Sequence, residues 1–277
     1  MELLPPKRNP NNPRGHVEKA LVKSLILKGI VSRMKRHRIP KEERSSSMLH
    51  IGIVACSAEG AALCYRTIYL EGSSGDKYSH PEVTMHTFPL SEYMRNIEVR
   101  NWDGVANLLV SSTNKLAHIG ADFIICPDNT VHQAFDRVIP QSPLPWIHIA
   151  DVVSSEAARR NYKRVGVLGT RYLMESSVYS VRLEAKDVDY VLPSRDERTR
   201  INEIIFNELV YGVFTDESRG YFTRVIDRLK RECCDAVVLG CTEIPLLVSS
   251  AVSSLPTLDS TRLLARAALQ RAIHDIK

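Results

Sequence analysis

The feature that most constrains this chain is that it repeats itself. Ile51-Gly52-Ile53-Val54 is matched by Val165-Gly166-Val167-Leu168 at an offset of 114 residues, and Ala121-Asp122-Phe123-Ile124-Ile125 by Cys234-Asp235-Ala236-Val237-Val238 at 113. Leu144-Pro145 is matched by Leu255-Pro256 at 111, each preceding a strand-like segment and an Ala-rich helical pattern. Three segments in one order at nearly one offset point to an internal duplication, with two lobes of one topology.

Each half reads as strand, loop, helix, repeated. Apolar strand-like runs lie at 49–55, 83–88, 121–126, 146–150, 164–170, 188–193 and 235–240. Helical patterns follow the first strand, carrying Leu63, Thr67 and Leu70, and cover about 103–118, a segment from near Asp151, 196–209 and 218–231. Short apolar strands alternating with helices imply parallel sheets covered on both faces. The expected fold is therefore α/β, two similar lobes, each a mainly parallel sheet flanked by helices, with the active site at the lobe interface. Residues 48–150 with about 256–277 are expected to form lobe 1, and 151–255 lobe 2.

Charge separates the N-terminal segment from the rest. Residues 1–47 hold twelve Lys or Arg against four Glu, so the remaining 25 basic and 28 acidic residues leave the body at −3 although the whole chain is +5. The basic character belongs to the leader, and a nucleic-acid-binding core gains no support from it. Residues 1–15, with four prolines and three asparagines, read as disordered. His16 to His37 reads as a basic amphipathic helix, which suits a targeting or surface-binding segment; the alternative is a leader with Met48 as the working start. No run approaches the roughly 18 apolar residues of a membrane-spanning helix. The body reads as a soluble, cytoplasmic protein without a membrane partner.

The six cysteines, Cys56, Cys64, Cys126, Cys233, Cys234 and Cys241, form no CxxC pair, and no His pair has zinc-ligand spacing. They read as reduced thiols, several of them packed in strands as small hydrophobes, and no structural metal is expected.

Ligands of open parallel sheets bind outside the carboxyl ends of the strands. Two loops at such ends face each other in the repeat: Cys126-Pro127-Asp128-Asn129-Thr130-Val131-His132 and Gly240-Cys241-Thr242-Glu243-Ile244-Pro245. The offset of 113 sets Asp128 opposite Cys241, Asn129 opposite Thr242 and Thr130 opposite Glu243. A matched acid–base group on each face of a substrate suits proton transfer at carbon, removal from one side and return on the other. Cys241 is expected to be the stronger base, its pKa lowered by a helix N-terminus and loop N–H donors. Asp128 needs a desolvated pocket to serve as its counterpart. Asn129, Thr130 and Thr242, with Ser57 and Thr170 from the loops after the strands at 49 and 164, are expected to hold a substrate carboxylate, and Glu243 is taken with them as substrate-binding. Singly, each of these residues also reads as a helix cap. Cys126, set opposite the strand residue Leu239, reads as core packing.

LGCTEIPLL (239–247) and PDNTVH (127–132) on a two-lobe repeat resemble the aspartate/glutamate racemase superfamily, and most nearly its aspartate racemase branch, over about residues 48–277. The resemblance implies that Asp128 and Cys241 occupy the two catalytic base positions and that Asn129, Thr130, Thr170 and Thr242 match substrate-binding positions. It also implies an isomerase that needs neither metal nor pyridoxal phosphate, acts on an amino acid or dicarboxylate and forms a homodimer. Asp128 is a departure, since members that racemise aspartate or glutamate typically have Cys there. A Lys of aspartate-specific relatives corresponds to Val210, and an Arg near the end of their second strand falls in Met85-His86-Thr87-Phe88, where His86 is the available substitute. The expected function is cofactor-independent racemisation of a small amino acid, with Cys241 the principal base and Asp128 its counterpart. The alternatives are a single-cysteine decarboxylase or isomerase of the same superfamily, and a non-catalytic amino-acid or carboxylate-binding protein.

Overall fold

The computed structural model describes residues 48–73 and 79–274, so the expected leader lies outside the described residues. Eight strands form two four-stranded sheets in which every pairing is parallel. β1 (Ile51–Ala55), β2 (Val83–Thr87), β3 (Phe123–Ile125) and β4 (Trp146–Ile147) form the first, in the order β2-β1-β3-β4. β5 (Arg164–Leu168), β6 (Asp189–Val191), β7 (Ala236–Leu239) and β8 (Thr257–Asp259) form the second, in the order β6-β5-β7-β8. The longer helices are α1 (Ala58–Gly72), α2 (Leu90–Ile97), α3 (Trp102–Ile119), α4 (Ile149–Arg159), α5 (Arg195–Asn207), α6 (Asp216–Arg231) and α7 (Ser260–His274).

The duplication extends to hydrogen-bond register. Ile51 pairs with Phe123, and Val165, 114 residues on, pairs with Ala236, 113 beyond Phe123. Ile124 pairs with Trp146, and their counterparts Val237 and Thr257 pair in the same way. The central strands are apolar on both faces because both faces are covered. Ile51, Ile53, Phe123 and Ile125 pack against α1 and α7, whereas Val54 and Ile124 join the cluster under α2 and α3. In the second lobe Val165, Val167, Ala236 and Val238 face α4, while Leu168, Val237 and Leu239 face α5 and α6.

The last helix of each half therefore crosses over. α4 follows β4 of the first sheet but buries Ala150, Val153 and Ala157 against the second. α7 follows β8 of the second sheet and buries Leu264, Ala265, Ala268 and Ala272 against the first. Val237 and Leu239 hold Thr257 and Asp259 in the second sheet, and α7 starts directly after them at Ser260. Local signals set the helix limits. Asn101 caps α3 by accepting from the Gly104 N–H, and Gly120 ends it with φ 110°. Ser194 and Glu197 form a reciprocal capping box at the start of α5.

Candidate active site

The loops that leave β1, β3, β5 and β7 converge on one cavity of about 530 Å³ of empty space. The structure brings all eight polar candidates to its wall: Ser57 after β1, Asp128, Asn129 and Thr130 after β3, Thr170 after β5, and Cys241, Thr242 and Glu243 after β7. Asp128 and Cys241 sit on loops equivalent in the repeat, one from each lobe.

Two hydroxyl pairs lace the lobes in a crossed pattern that follows the duplication. The Thr242 hydroxyl donates to Glu243 Oε2 at 2.8 Å, so in the 3.3 Å contact between Ser57 Oγ and Thr242 Oγ1 the donor is Ser57. Thr130 Oγ1 and Thr170 Oγ1 lie 2.9 Å apart, and Thr170 also accepts the Leu173 N–H as a helix cap. This pair uses one hydroxyl proton on itself and has a second to give to a ligand oxygen. Ser57 stands at the N-cap position of α1 without capping it, which releases its hydroxyl for the cavity. α1 approaches this closely because Gly60 has no side chain: a Cβ there would fall inside the Thr242 side chain. Gly169 and Gly240 likewise lie back to back, a Gly240 Cβ reaching 2.8 Å from the Leu168 carbonyl oxygen.

The Asn129 side chain lines the cavity but is already engaged. Its amide donates to Ser260 Oγ at 3.0 Å, and its carbonyl oxygen accepts the Tyr179 hydroxyl at 2.6 Å. It links the first lobe to β8–α7 and to the second lobe, leaving one amide N–H and one oxygen lone pair unused. Asp128 uses Oδ1 to accept the Val131 N–H at 3.2 Å, so the cap reading holds for one of its two oxygens. His132 fixes that loop from behind. Its Nε2 accepts the Ile149 N–H at 3.4 Å, and its Nδ1–H therefore donates to the Asp128 carbonyl oxygen at 2.7 Å.

The electrostatics reverse one expectation. Burial pushes the Asp128 carboxyl up from 3.8 to about 6, with Glu243 adding to the rise and the Val131 and Thr130 N–H groups opposing it. Burial also raises the Cys241 thiol well above its ordinary value, and Glu243 raises it further. Cys241 is 7% exposed, and its S–H donates to Glu243 Oε2 at 3.0 Å, a bond that favours the protonated thiol. The helix expected to lower it is a single turn, Ile244–Leu247, with Pro245 in its first positions. Burial thus raises both groups, and the bond to Glu243 keeps the proton on the Cys241 sulfur.

Glu243 itself is 3% exposed, and its Oε1 is a buried acceptor without a partner. Such an acceptor is costly to leave unpaired. Cys126 is fully buried against α2 and α3 and does not line the cavity, in keeping with packing. His86 is also absent from the wall: its ring lies between Ser112 Oγ and Lys115 Nζ, each at 2.9 Å. Among the described residues no group of three or more His, Cys, Asp or Glu side chains is placed to hold a metal ion, and no helix is long and apolar enough to cross a membrane.

The rest of the wall is mainly apolar, and of it only Val210 was singled out in the sequence. Leu90, Tyr93, Met94 and Ile97 of α2 line it from the first lobe; Tyr172, Ile205, Phe206 and Val210 line it from the second. The signal was present at 90, 93, 94 and 97, the i, i+3, i+4, i+7 spacing of one helix face.

The model of the Asp/Glu/Hydantoin racemase family matches residues 69–268. The chain belongs to that family. It is accordingly an isomerase of the racemase type. The Broad specificity amino-acid racemase RacX of Bacillus subtilis (strain 168) is 23% identical over 201 residues, 71% of this chain and 84% of that protein. An aspartate racemase homologue from Pyrococcus horikoshii OT3 has a TM-score of 0.70 at 30% identity, covering 81% of this chain and 99% of that one. The Picrophilus torridus aspartate racemase shares the fold at a TM-score of 0.69 and 21% identity, covering 81% and 94%. The likeness at 30% identity to the Pyrococcus horikoshii aspartate racemase homologue supports the aspartate racemase branch.

Proposed function

We propose that this family member is a cofactor-independent amino-acid racemase in which Asp128 is the resting base and Cys241 the resting acid. The observation that carries the reading is the placement of these two groups on repeat-equivalent loops, from opposite lobes, in the wall of one cavity. With Asp128 near 6 and Cys241 above its ordinary range, carboxylate and thiol coexist at neutral pH. Asp128 takes the α-proton of one enantiomer, and the Cys241 S–H delivers its proton to the opposite face of the carbanion. The products are the mirror-image amino acid, a protonated Asp128 and a Cys241 thiolate, which is the form ready for the reverse reaction.

Carbanion formation beside a carboxylate needs donors for that carboxylate and a partner for the ammonium group. The hydroxyls of Ser57 and of the Thr130–Thr170 pair serve the first need. The unpartnered Oε1 of Glu243 serves the second, and an ammonium there also reduces the repulsion that raises Cys241. Asn129 and Thr242 hold the loops that present these groups. The reading places the enzyme in the cytoplasm as a homodimer acting on a free amino acid.

The test is α-hydrogen exchange with solvent deuterium, measured for both enantiomers from pH 4 to 9. Exchange from the enantiomer facing Asp128 rises as pH increases through about 6, and Asp128→Asn removes it by a factor on the order of 10² or more. Exchange confined to one enantiomer would assign a one-faced reaction instead. Exchange unaffected by both Asp128→Asn and Cys241→Ala would refute the assignment of the bases.

A further inference from the structure

The cavity is divided by polarity. Its strand-end side carries hydroxyls, two carboxyl groups and a thiol, while its far side is built mainly from apolar side chains, the rings of Tyr93 and Tyr172 being the members there that carry a hydroxyl. Leu90, Met94, Phe206 and Val210 line that far side and are each only partly buried, so they keep apolar surface in contact with the empty space. Ile97 and Ile205 complete it from behind, one from each lobe. Among the described residues no Lys, Arg or His lines the cavity, and its carboxyl groups are those of Asp128 and Glu243.

From this division we infer that the substrate is a neutral α-amino acid with a bulky apolar side chain, of the size of leucine, methionine or phenylalanine. The inference rests on the racemase reading and supplies what that reading leaves open. The α-carboxylate and α-ammonium occupy the polar side, and the side chain extends between α2 and the segment 205–210. A second substrate carboxylate would enter a wall without a cation and add a negative charge beside two acids. A cationic side chain would end among mostly apolar groups with no carboxylate to pair with it. An apolar one removes the exposed surface of Leu90, Met94, Phe206 and Val210 from water.

The experiment compares kcat/KM for α-hydrogen exchange by the full chain on leucine, methionine, phenylalanine, alanine, aspartate, glutamate and lysine. Each apolar methylene in such a pocket is worth roughly tenfold or more, so the three bulky apolar substrates are expected to exceed aspartate, glutamate and lysine by at least that factor. Phe206→Ala should lower the rates on the bulky substrates about tenfold through KM, while alanine, whose methyl group stops short of that wall, changes far less. Aspartate, glutamate or lysine exchanging as well as leucine would overturn the inference and leave the racemase reading standing. No exchange with any amino acid would overturn the racemase reading. The inference would then be judged by thermal shift: a larger rise in Tm with leucine, methionine or phenylalanine than with aspartate or glutamate upholds it, and the reverse or no shift overturns it.

Discussion

At the scale of single residues, the site is an unfavourable place for the charge it needs. The Asp128 carboxyl titrates near 6 instead of 3.8, so its folded-state pKa is raised. A raised pKa means that Asp128 stabilises the fold while protonated, below about pH 4, and that this contribution is lost as pH rises through 6. Asp128→Asn keeps an acceptor for the Val131 N–H and removes the charge. It is expected to leave stability unchanged at pH 4 and to raise it at pH 8 by up to about 3 kcal/mol, two pKa units at about 1.4 each, as read by denaturant unfolding at the two pH values. Equal effects at both would show that the carboxylate is well solvated. The positions of Asp128 and Cys241 were legible in the sequence because the repeat aligns them. Their relative basicity was not, because it depends on the burial of Cys241 and on the side-chain conformation of Glu243, two residues along the same loop.

At the scale of elements, strands and most helices were legible because apolar runs and 3.6-residue spacing survive in both halves. α2 was overlooked although its buried face has that spacing, since only eight residues separate it from loop. The approach of α1 to the site was not legible either; Gly60 reads in sequence as an ordinary weak point of a helix. Alanine at such a position should gain about 1 kcal/mol from helix propensity alone. Here the added methyl group meets Thr242, whose hydroxyl holds Glu243 and accepts from Ser57. Gly60→Ala is therefore expected to lower kcat/KM for exchange by about tenfold or more, the scale of a 1 Å misplacement in a site, while circular dichroism shows the helix content intact. Unchanged kinetics would mean that α1 can retreat without moving the β7 loop.

At the scale of the whole molecule, the crossed helices α4 and α7 and the bridging side chains make the two lobes one body. Tyr179, buried in the second lobe, donates to Asn129 in the loop that carries Asp128. Tyr179→Phe leaves a buried carbonyl oxygen unpaired, a loss of about 1–3 kcal/mol. The expected outcome is a lower Tm together with a raised KM, because the same bond ties the lobes and steadies the loop; a lower Tm with KM unchanged would make the bond purely structural. Two-lobe topology was legible from the repeat, and this interlocking was not, since it depends on which sheet each terminal helix chooses to cover.

The unlike groups after β3 and β7 have a thermodynamic consequence. Mirror-image amino acids have equal free energies in water, so no arrangement of acids and bases can favour one of them at equilibrium. In the proposed racemisation, kcat/KM must then be the same in both directions, however different a carboxylate is from a thiol. The inequality between Asp128 and Cys241 is expressed only in kcat and KM separately: the handedness that turns over faster at saturation is the one that requires more substrate to saturate.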